Sequence, residues 1–298
     1  MNTLRSQRSI IAFVIPGCVL LTLLIAWPIV QSGISALTIS SNQHDNTLDS
    51  SRIFAGLSHF KTLVSQVAFW YSLALAALFT VSTTILEILI AVSVALFLYF
   101  QKTLPRIVEV LLILPMFVLP VVSGLTFRYI YDPNDGPLSF LFEALGWEPL
   151  APLSDAVWAF WAVVLQDIWR MWPFLFLIVY AGLKALPKSS QEAARMDGAN
   201  TRILITHVIL PALRPTLAIA IGLKVMESLK VFTEVYVMTG GGPGDSTTLL
   251  SLFVVKQAFH FFQVGPASAA SILLLALGMS LAWGITRMQN RAAALGSK

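Results

Sequence analysis

The chain has 298 residues, of which 57% are hydrophobic and 11% charged, and its mean hydropathy is +0.79. About a quarter of the residues in an ordinary soluble domain are charged, so this composition excludes one and puts the chain in a bilayer. The 19 Lys and Arg against 15 Asp and Glu form no basic stripe for nucleic acid, and a single cysteine, Cys18, excludes an internal disulfide or a cysteine metal cage.

A crossing helix needs about 20 mostly apolar residues, and six segments qualify: 10–34, 68–99, 107–130, 157–183, 216–238 and 267–288. Residues 1–66 read as an N-terminal transmembrane helix with its outer loop, and residues 67–298 as the core. Arg5 and Arg8 precede the first span as in a signal peptide, but its apolar run exceeds the ~7 to 15 residues of such a signal, which predicts a retained helix. Basic residues gather on one side: Arg5 and Arg8, then Lys102 and Arg106, then Lys184, Lys188, Arg195, Arg202 and Arg214, then Arg287, Arg291 and Lys298. The opposite connections hold Asp45, Asp49, Asp132, Asp135, Glu143, Glu148, Asp155 and Asp245, so the bias predicts cytoplasmic termini.

Ionisable residues within spans cost about 2.5 to 3.5 kcal/mol at the helix centre and by default face an interior or a wet path. Glu87 stands alone in the second span; its role is left open, with pairing to a partner subunit as one reading, and it is not placed among the candidate ligand residues. Between the third and fourth spans, Asp132-Pro133-Asn134-Asp135-Gly136 is a strong turn signal. In the fourth span Asp167, Arg170, Met171 and Phe174 share one helical stripe, flanked by Trp169 and Trp172. In the fifth, Lys224, Glu227, Ser228 and Val231 form a similar stripe, and Glu227, Lys230 and Glu234 come within pairing distance along a continuous helix. Mutual pairing that only holds helices in register competes with ligand contact for these groups, most evenly for Lys230 and Glu234.

Between those two spans lies a charged, alanine-rich segment, residues 187–215. Pro187 ends the preceding span, Ser189 and Glu192 have the spacing of a capping box, and Gly198 after Asp197 is placed to stop the new helix. Two turns are too few for stability in water, so this helix has to dock on something. Ile203, Leu204, Val208, Ile209 and Leu210 offer apolar contact before Pro211 and Pro215 interrupt the chain. A connector resting on lipid headgroups is the plainer alternative.

Glu192-Ala193-Ala194, three residues, Gly198, nine residues, then Val208-Ile209-Leu210-Pro211 resembles the EAA loop of ATP-binding-cassette (ABC) importer permeases, with Val208 where isoleucine is usual. Thr239-Gly240-Gly241-Gly242-Pro243-Gly244, Ser246-Thr247, Ala258-Phe259 and Gly265-Pro266-Ala267-Ser268-Ala269 are similar to the outer loop of carbohydrate-uptake permeases of the maltose-importer type, with Pro266 where an aromatic is commoner. With Phe54 to Phe60, the resemblance covers nearly the whole chain. It implies an all-α integral membrane protein with the six-helix type I ABC importer permease fold, in the cytoplasmic membrane of a bacterium. It assigns coupling to a separate ATPase to Glu192, Ala193, Ala194, Asp197 and Gly198. It puts a sugar site on the fourth and fifth spans, at Asp167, Arg170, Met171, Phe174, Lys224, Glu227, Ser228 and Val231. Carboxylates, a guanidinium and aromatics suit a polyol, whose hydroxyls need donors and acceptors while a ring covers its C–H face. The implied partners are a second permease chain in a heterodimer, two copies of a cytoplasmic ABC ATPase and an extracytoplasmic sugar-binding protein. No catalytic residue, metal or cofactor is expected in this chain, with ATP and Mg on the ATPase.

Arg170 with Lys224 also suits an anionic sugar or polyol phosphate, although Asp167 and Glu227 can neutralise both. The run from Gly240 to Thr247 lacks the lysine of a phosphate-binding loop. An ion-coupled transporter, with Glu227 or Asp167 as proton relay, would need no coupling helix. A hydrolase would need a Gly-x-Ser-x-Gly elbow or His-Glu-x-x-His, neither of which occurs, and His207 lies in the cytoplasmic loop.

Overall fold

The computed structural model describes residues 2–40, 52–101 and 105–296, with side chains described from residue 14 to residue 287 apart from positions 40, 52 and 106. Asp45, Asp49, Lys102 and Lys298, and the side chains of Arg5, Arg8, Arg106 and Arg291, therefore lie outside what it describes. The chain forms two compact units, residues 1–69 with 254–275 and residues 70–253 with 276–298.

In the first unit, α1 (Asn2–Leu37) runs into a two-stranded antiparallel ribbon, β1 (Thr38–Ser40) on β2 (Arg52–Phe54), with Ile39 opposite Ile53. The short α2 (Ser58–Ser65) follows, and its His59 ring nitrogen is 3.1 Å from the Thr38 carbonyl oxygen. The ribbon is a small departure from the expected all-α class.

The second unit holds the long α3 (Val67–Phe100) and then a broken span. Here α4 (Arg106–Ile113) passes through a tight turn at Leu114–Phe117 into α5 (Pro120–Ile130), with a bend of 92° between the two parts. The third span expected at 107–130 is thus present as a bent pair. Pro115 and Pro120 remove two backbone donors, and Val118 and Leu119 ahead of Pro120 are extended while Leu114 ahead of Pro115 stays helical, so the helix stops after Phe117 and restarts at Pro120. The turn at Asp132 forms as a side-chain turn: its carboxylate accepts from the Asn134 and Asp135 amides at 2.9 and 3.1 Å, and these bonds hold its pKa below the usual carboxylate value. The short α6 (Pro137–Ala144) leads on to α7 (Ala156–Ala185), whose first amides are capped by Asp155.

After α7 come α8 (Lys188–Met196), α9 (Thr201–Ile203), a widened π turn at Leu204–Ile209 and α10 (Leu210–Ser228). The chain from Thr201 to Ser228 is one continuous span, so Pro211 and Pro215 do not interrupt it. The π turn immediately precedes Pro211, and such a turn shifts the backbone pairing that a proline would otherwise break. The fifth span ends early, at Ser228; α11 (Thr233–Thr239) restarts after the break at residues 229–232. Two helices close the chain, α12 (Leu250–Val255) and, past a second π turn at Lys256–His260, α13 (Val264–Gly296). Among the described residues, five helices are long and apolar enough to cross a membrane, and the count is six when the bent pair is taken as one span.

Two apolar clusters organise the second unit. One joins Phe79, Phe127, Phe160, Val163, Val235 and Leu252, and the other joins Ala95, Leu98, Val179, Leu183, Leu204, Ile209 and Leu213. The helix pair α5 and α11 approaches closely at Gly124, where an added methyl group would lie 3.2 Å from the Glu234 carbonyl oxygen. The loop after α11 folds back into the protein, with Ser246 to Leu250 buried. Its threonines replace water as partners: Thr247 donates to the Gly242 carbonyl at 3.0 Å and Thr248 to the Asp245 carboxylate at 2.9 Å.

Candidate functional site

The segment at 187–215 is anchored on one side and bare on the other. Leu204 and Ile209 are fully inserted in the second apolar cluster, with Ala194, Ile205 and Val208 packed at its edge, while Ile203 is exposed. The Tyr99 hydroxyl donates to Gln191 Oε1 at 3.1 Å and ties α8 to the end of α3. Pro187 itself precedes the first turn of α8, and no side chain caps it. The capping box expected from Ser189 and Glu192 does not form. Leu186 and Pro187 are both extended, so Lys188 becomes the first helical residue and Ser189 falls inside the turn it was expected to precede.

The other end follows the sequence closely. Gly198 adopts φ +82°, its N–H donates to the Arg195 carbonyl at 3.0 Å, and the Ala199 N–H donates to the Ala194 carbonyl at 3.0 Å. This is a Schellman ending, in which glycine takes the left-handed conformation a side chain resists. Glu192, Ala193, Arg195, Asp197 and Gly198 remain exposed, and Met196 is 88% exposed. A nine-residue helix thus presents a mixed polar and apolar face that nothing among the described residues covers.

The span charges converge instead on one buried cluster. Lys224 Nζ donates to Asp167 Oδ2 at 2.6 Å and to Glu87 Oε1 at 2.7 Å. Arg170 Nη2 donates to Glu234 Oε1 at 2.5 Å and lies 3.8 Å from Asp167 Oδ1. Glu87 therefore has its partner within this chain, against the reading that pairs it with another subunit. Lys230 binds Glu227 at 3.2 Å, but Glu234 sits on α11 beyond the break and reaches Arg170 rather than Lys230. The continuous Glu227, Lys230, Glu234 ladder does not exist because the helix that would carry it ends at Ser228.

Beside this cluster is a cavity of about 350 Å³ lined by Met116, Arg170, Met171, Phe174, Leu223, Met226, Glu227 and Lys230. Four of the eight expected ligand residues line it: Arg170, Met171, Phe174 and Glu227. Asp167 and Lys224 are 1% and 0% exposed, the Ser228 hydroxyl is buried without a hydrogen-bond partner, and Val231 lies in the first apolar cluster with its carbonyl accepting from Ser251. The cavity takes Leu223, Met226 and Glu227 from α10 and Lys230 from just past its end, so it shares Glu227 with the expected stripe but not Lys224 or Ser228. Both stripes have the same helical spacing. The one containing Lys224 and Ser228 continues Leu213 and Ala220 and is the buried face. Met116 follows the proline turn and carried no sequence signal for this site.

Among the described residues, no cluster of His, Cys, Asp and Glu could hold a metal ion. Within the cavity, each cation already has a carboxylate partner from this chain.

Residues 53–293 match the family described as the binding-protein-dependent transport system inner membrane component. The chain is 33% identical over 243 residues to the trehalose/maltose transport system permease protein MalF of Thermococcus litoralis, covering 80% of this chain and 81% of that protein. It is 31% identical to the inner membrane ABC transporter permease protein YcjO of Escherichia coli, covering 92% and 93%. Its fold matches a chain in the crystal structure of a bacterial alginate ABC transporter bound to a periplasmic protein carrying an alginate pentasaccharide, with TM-score 0.82, 17% identity and coverage of 97% and 96%. With the helices, the broken third span and the exposed α8 in place, the family match makes this chain a multi-pass ABC importer permease of the binding-protein-dependent transport system inner membrane component family.

Proposed function

We propose that this chain is one half of a heterodimeric sugar importer, passing an uncharged saccharide to the cytoplasm by alternating access. The observation that carries the importer reading is the bare face of α8, a helix held rigidly by Gln191, Leu204 and Ile209 while Glu192, Ala193, Met196 and Gly198 face outward. A short helix so anchored can transmit a push without melting. Two copies of an ABC ATPase would supply the push, binding ATP and Mg themselves, with one copy seated on this face. An extracytoplasmic binding protein would deliver the sugar, and both termini would lie in the cytoplasm. Nucleotide and loaded binding protein then bias an equilibrium between two packed states.

The sugar reading is supported by relatives named for trehalose and maltose transport. The cavity walls agree with it chemically: Arg170, Glu227 and Lys230 offer donors and acceptors for hydroxyls, and Phe174 and three methionines offer apolar cover. An uncharged substrate is favoured over an anionic one because Lys230 is paired with Glu227 and Arg170 with Glu234.

The test is ATP hydrolysis by the reconstituted complex, with binding protein, across a panel of sugars beginning with trehalose and maltose. One neutral sugar should stimulate hydrolysis, and Glu192→Lys should abolish at least about nine-tenths of coupled uptake, through like charge or lost pairing at a buried contact. Unchanged uptake and assembly in that variant would end the coupling assignment. Stimulation only by sulfated or phosphorylated sugars would overturn the neutral-substrate reading.

A further inference from the structure

The buried cluster does not balance its charge. Three carboxylates, Glu87, Asp167 and Glu234, face two cations, Lys224 and Arg170, and none of the five is more than 8% exposed. Fully ionised, the group would carry one surplus negative charge inside a membrane-spanning core, where an uncompensated charge is so costly that a group normally neutralises instead. Among the described residues no other cation is paired with these carboxylates: Lys230 is exposed and bound to the half-exposed Glu227.

Geometry selects the acid that neutralises. Glu234 has Arg170 at 2.5 Å, and Asp167 has Lys224 at 2.6 Å with Arg170 at 3.8 Å. Glu87 has one cation only, shared with Asp167, and its Oε2 is buried without a hydrogen-bond partner. Thr84 and Thr80, one and two turns back on the same face of α3, are buried and bring no charge. Asp167 Oδ1 also lacks a hydrogen-bond partner, on the carboxylate that shares the same ammonium.

We propose that Glu87 is a positioning residue that works as the neutral acid, its proton on Oε2, and that by holding Lys224 against Asp167 it sets Arg170 at the cavity. The positioning role rests on the cavity being the sugar path; the protonation does not. The charged form would pull Lys224 away from Asp167, whereas the neutral acid still accepts through Oε1 and leaves Asp167 its ion pair.

Infrared spectroscopy of the complete complex in nanodiscs tests the protonation. At neutral pH the carbonyl stretch of a protonated carboxylic acid should be present, shift when glutamate carboxyls carry ¹³C, persist in Glu234→Gln and vanish in Glu87→Gln. Absence of that band, insensitivity to glutamate labelling, or loss in Glu234→Gln would overturn the assignment, and the labelling result needs no variant to fold. Uptake tests the positioning, with trehalose as the first probe and maltose as the second. Glu87→Gln should keep the half-saturating sugar concentration within about twofold of the parent between about pH 6 and 8, while Glu87→Ala should raise it about tenfold with little change in maximal rate, as expected for coupled neighbours. If Arg170→Ala raises half-saturation and Glu87→Ala does not, Glu87 is no positioning residue. If Arg170→Ala changes nothing while the band remains, the cavity reading fails and the protonated acid stands.

Discussion

The coupling segment and the buried charge cluster are both built from charged residues in an apolar chain, yet they are assembled in opposite ways. The segment is local: Pro187, Ala194, Gly198 and Ala199 settle its ends through bonds between residues at most five apart. The cluster is long-range, since Lys224 reaches back 57 positions to Asp167 and 137 to Glu87. One leaves its polar face open, as a contact for another protein needs, and the other closes its polar groups on themselves. Charge in a transporter thus serves either to be met by a partner or to lock spans together, and burial separates the two.

The largest effect that would break this comparison is expected inside the cluster. Lys224→Met removes the cation shared by Glu87 and Asp167 and should destabilise the complex by about 3 to 5 kcal/mol, the cost of orphaning a buried charge. Thermal unfolding of the purified complex measures it, and adding Asp167→Asn should recover part of the loss. Equal stability of parent and single variant would mean the cluster locks nothing.

A smaller effect is expected in the segment. Gly198→Ala places a side chain at φ +82° and should cost the C-terminal turn of α8 about 1 to 2 kcal/mol. Hydrogen exchange at the Ala199 amide should speed up accordingly, with coupled uptake falling more than subunit assembly. If exchange is unchanged, the Schellman turn is not what ends the helix.

The smallest concerns the Asp132 turn, which is local like the segment but has no partner to meet. Its carboxyl pKa is lowered by the Asn134 and Asp135 amides, so the turn's extra stability is present above the ordinary Asp value and is lost as pH falls through the lowered one. Exchange at those two amides should accelerate on acidification, and Asp132→Ala should be fast at every pH. A pH-independent parent would deny the side-chain turn.

Legibility followed the same division. Gly198, the exposed Glu192 and the turn at Asp132 could be read from short spacings, because their partners are neighbours in the chain. The misplaced start of α8 was a short-range error of another kind: Ser189 and Glu192 satisfy the capping spacing, but Pro187 already dictates where the helix begins. In the fifth span two stripes one residue apart, Lys224 with Ser228 and Leu223 with Glu227, satisfy helical periodicity equally. Choosing between them requires knowing which face packs on α7.

By itself the sequence determined that the chain crosses a bilayer several times, that a short helix ends at Gly198 on the way between two spans, and that charges within spans must find partners or water. Those follow from hydropathy, backbone conformation and desolvation, which act on each stretch separately. Only the tertiary structure decided that Glu87 belongs with Lys224, that Glu234 serves Arg170 from beyond a helix break, and that the cavity lies one stripe over from the expected face. Those are choices of rotation and register between helices, made by packing of whole faces against one another, and no single stretch of chain contains them.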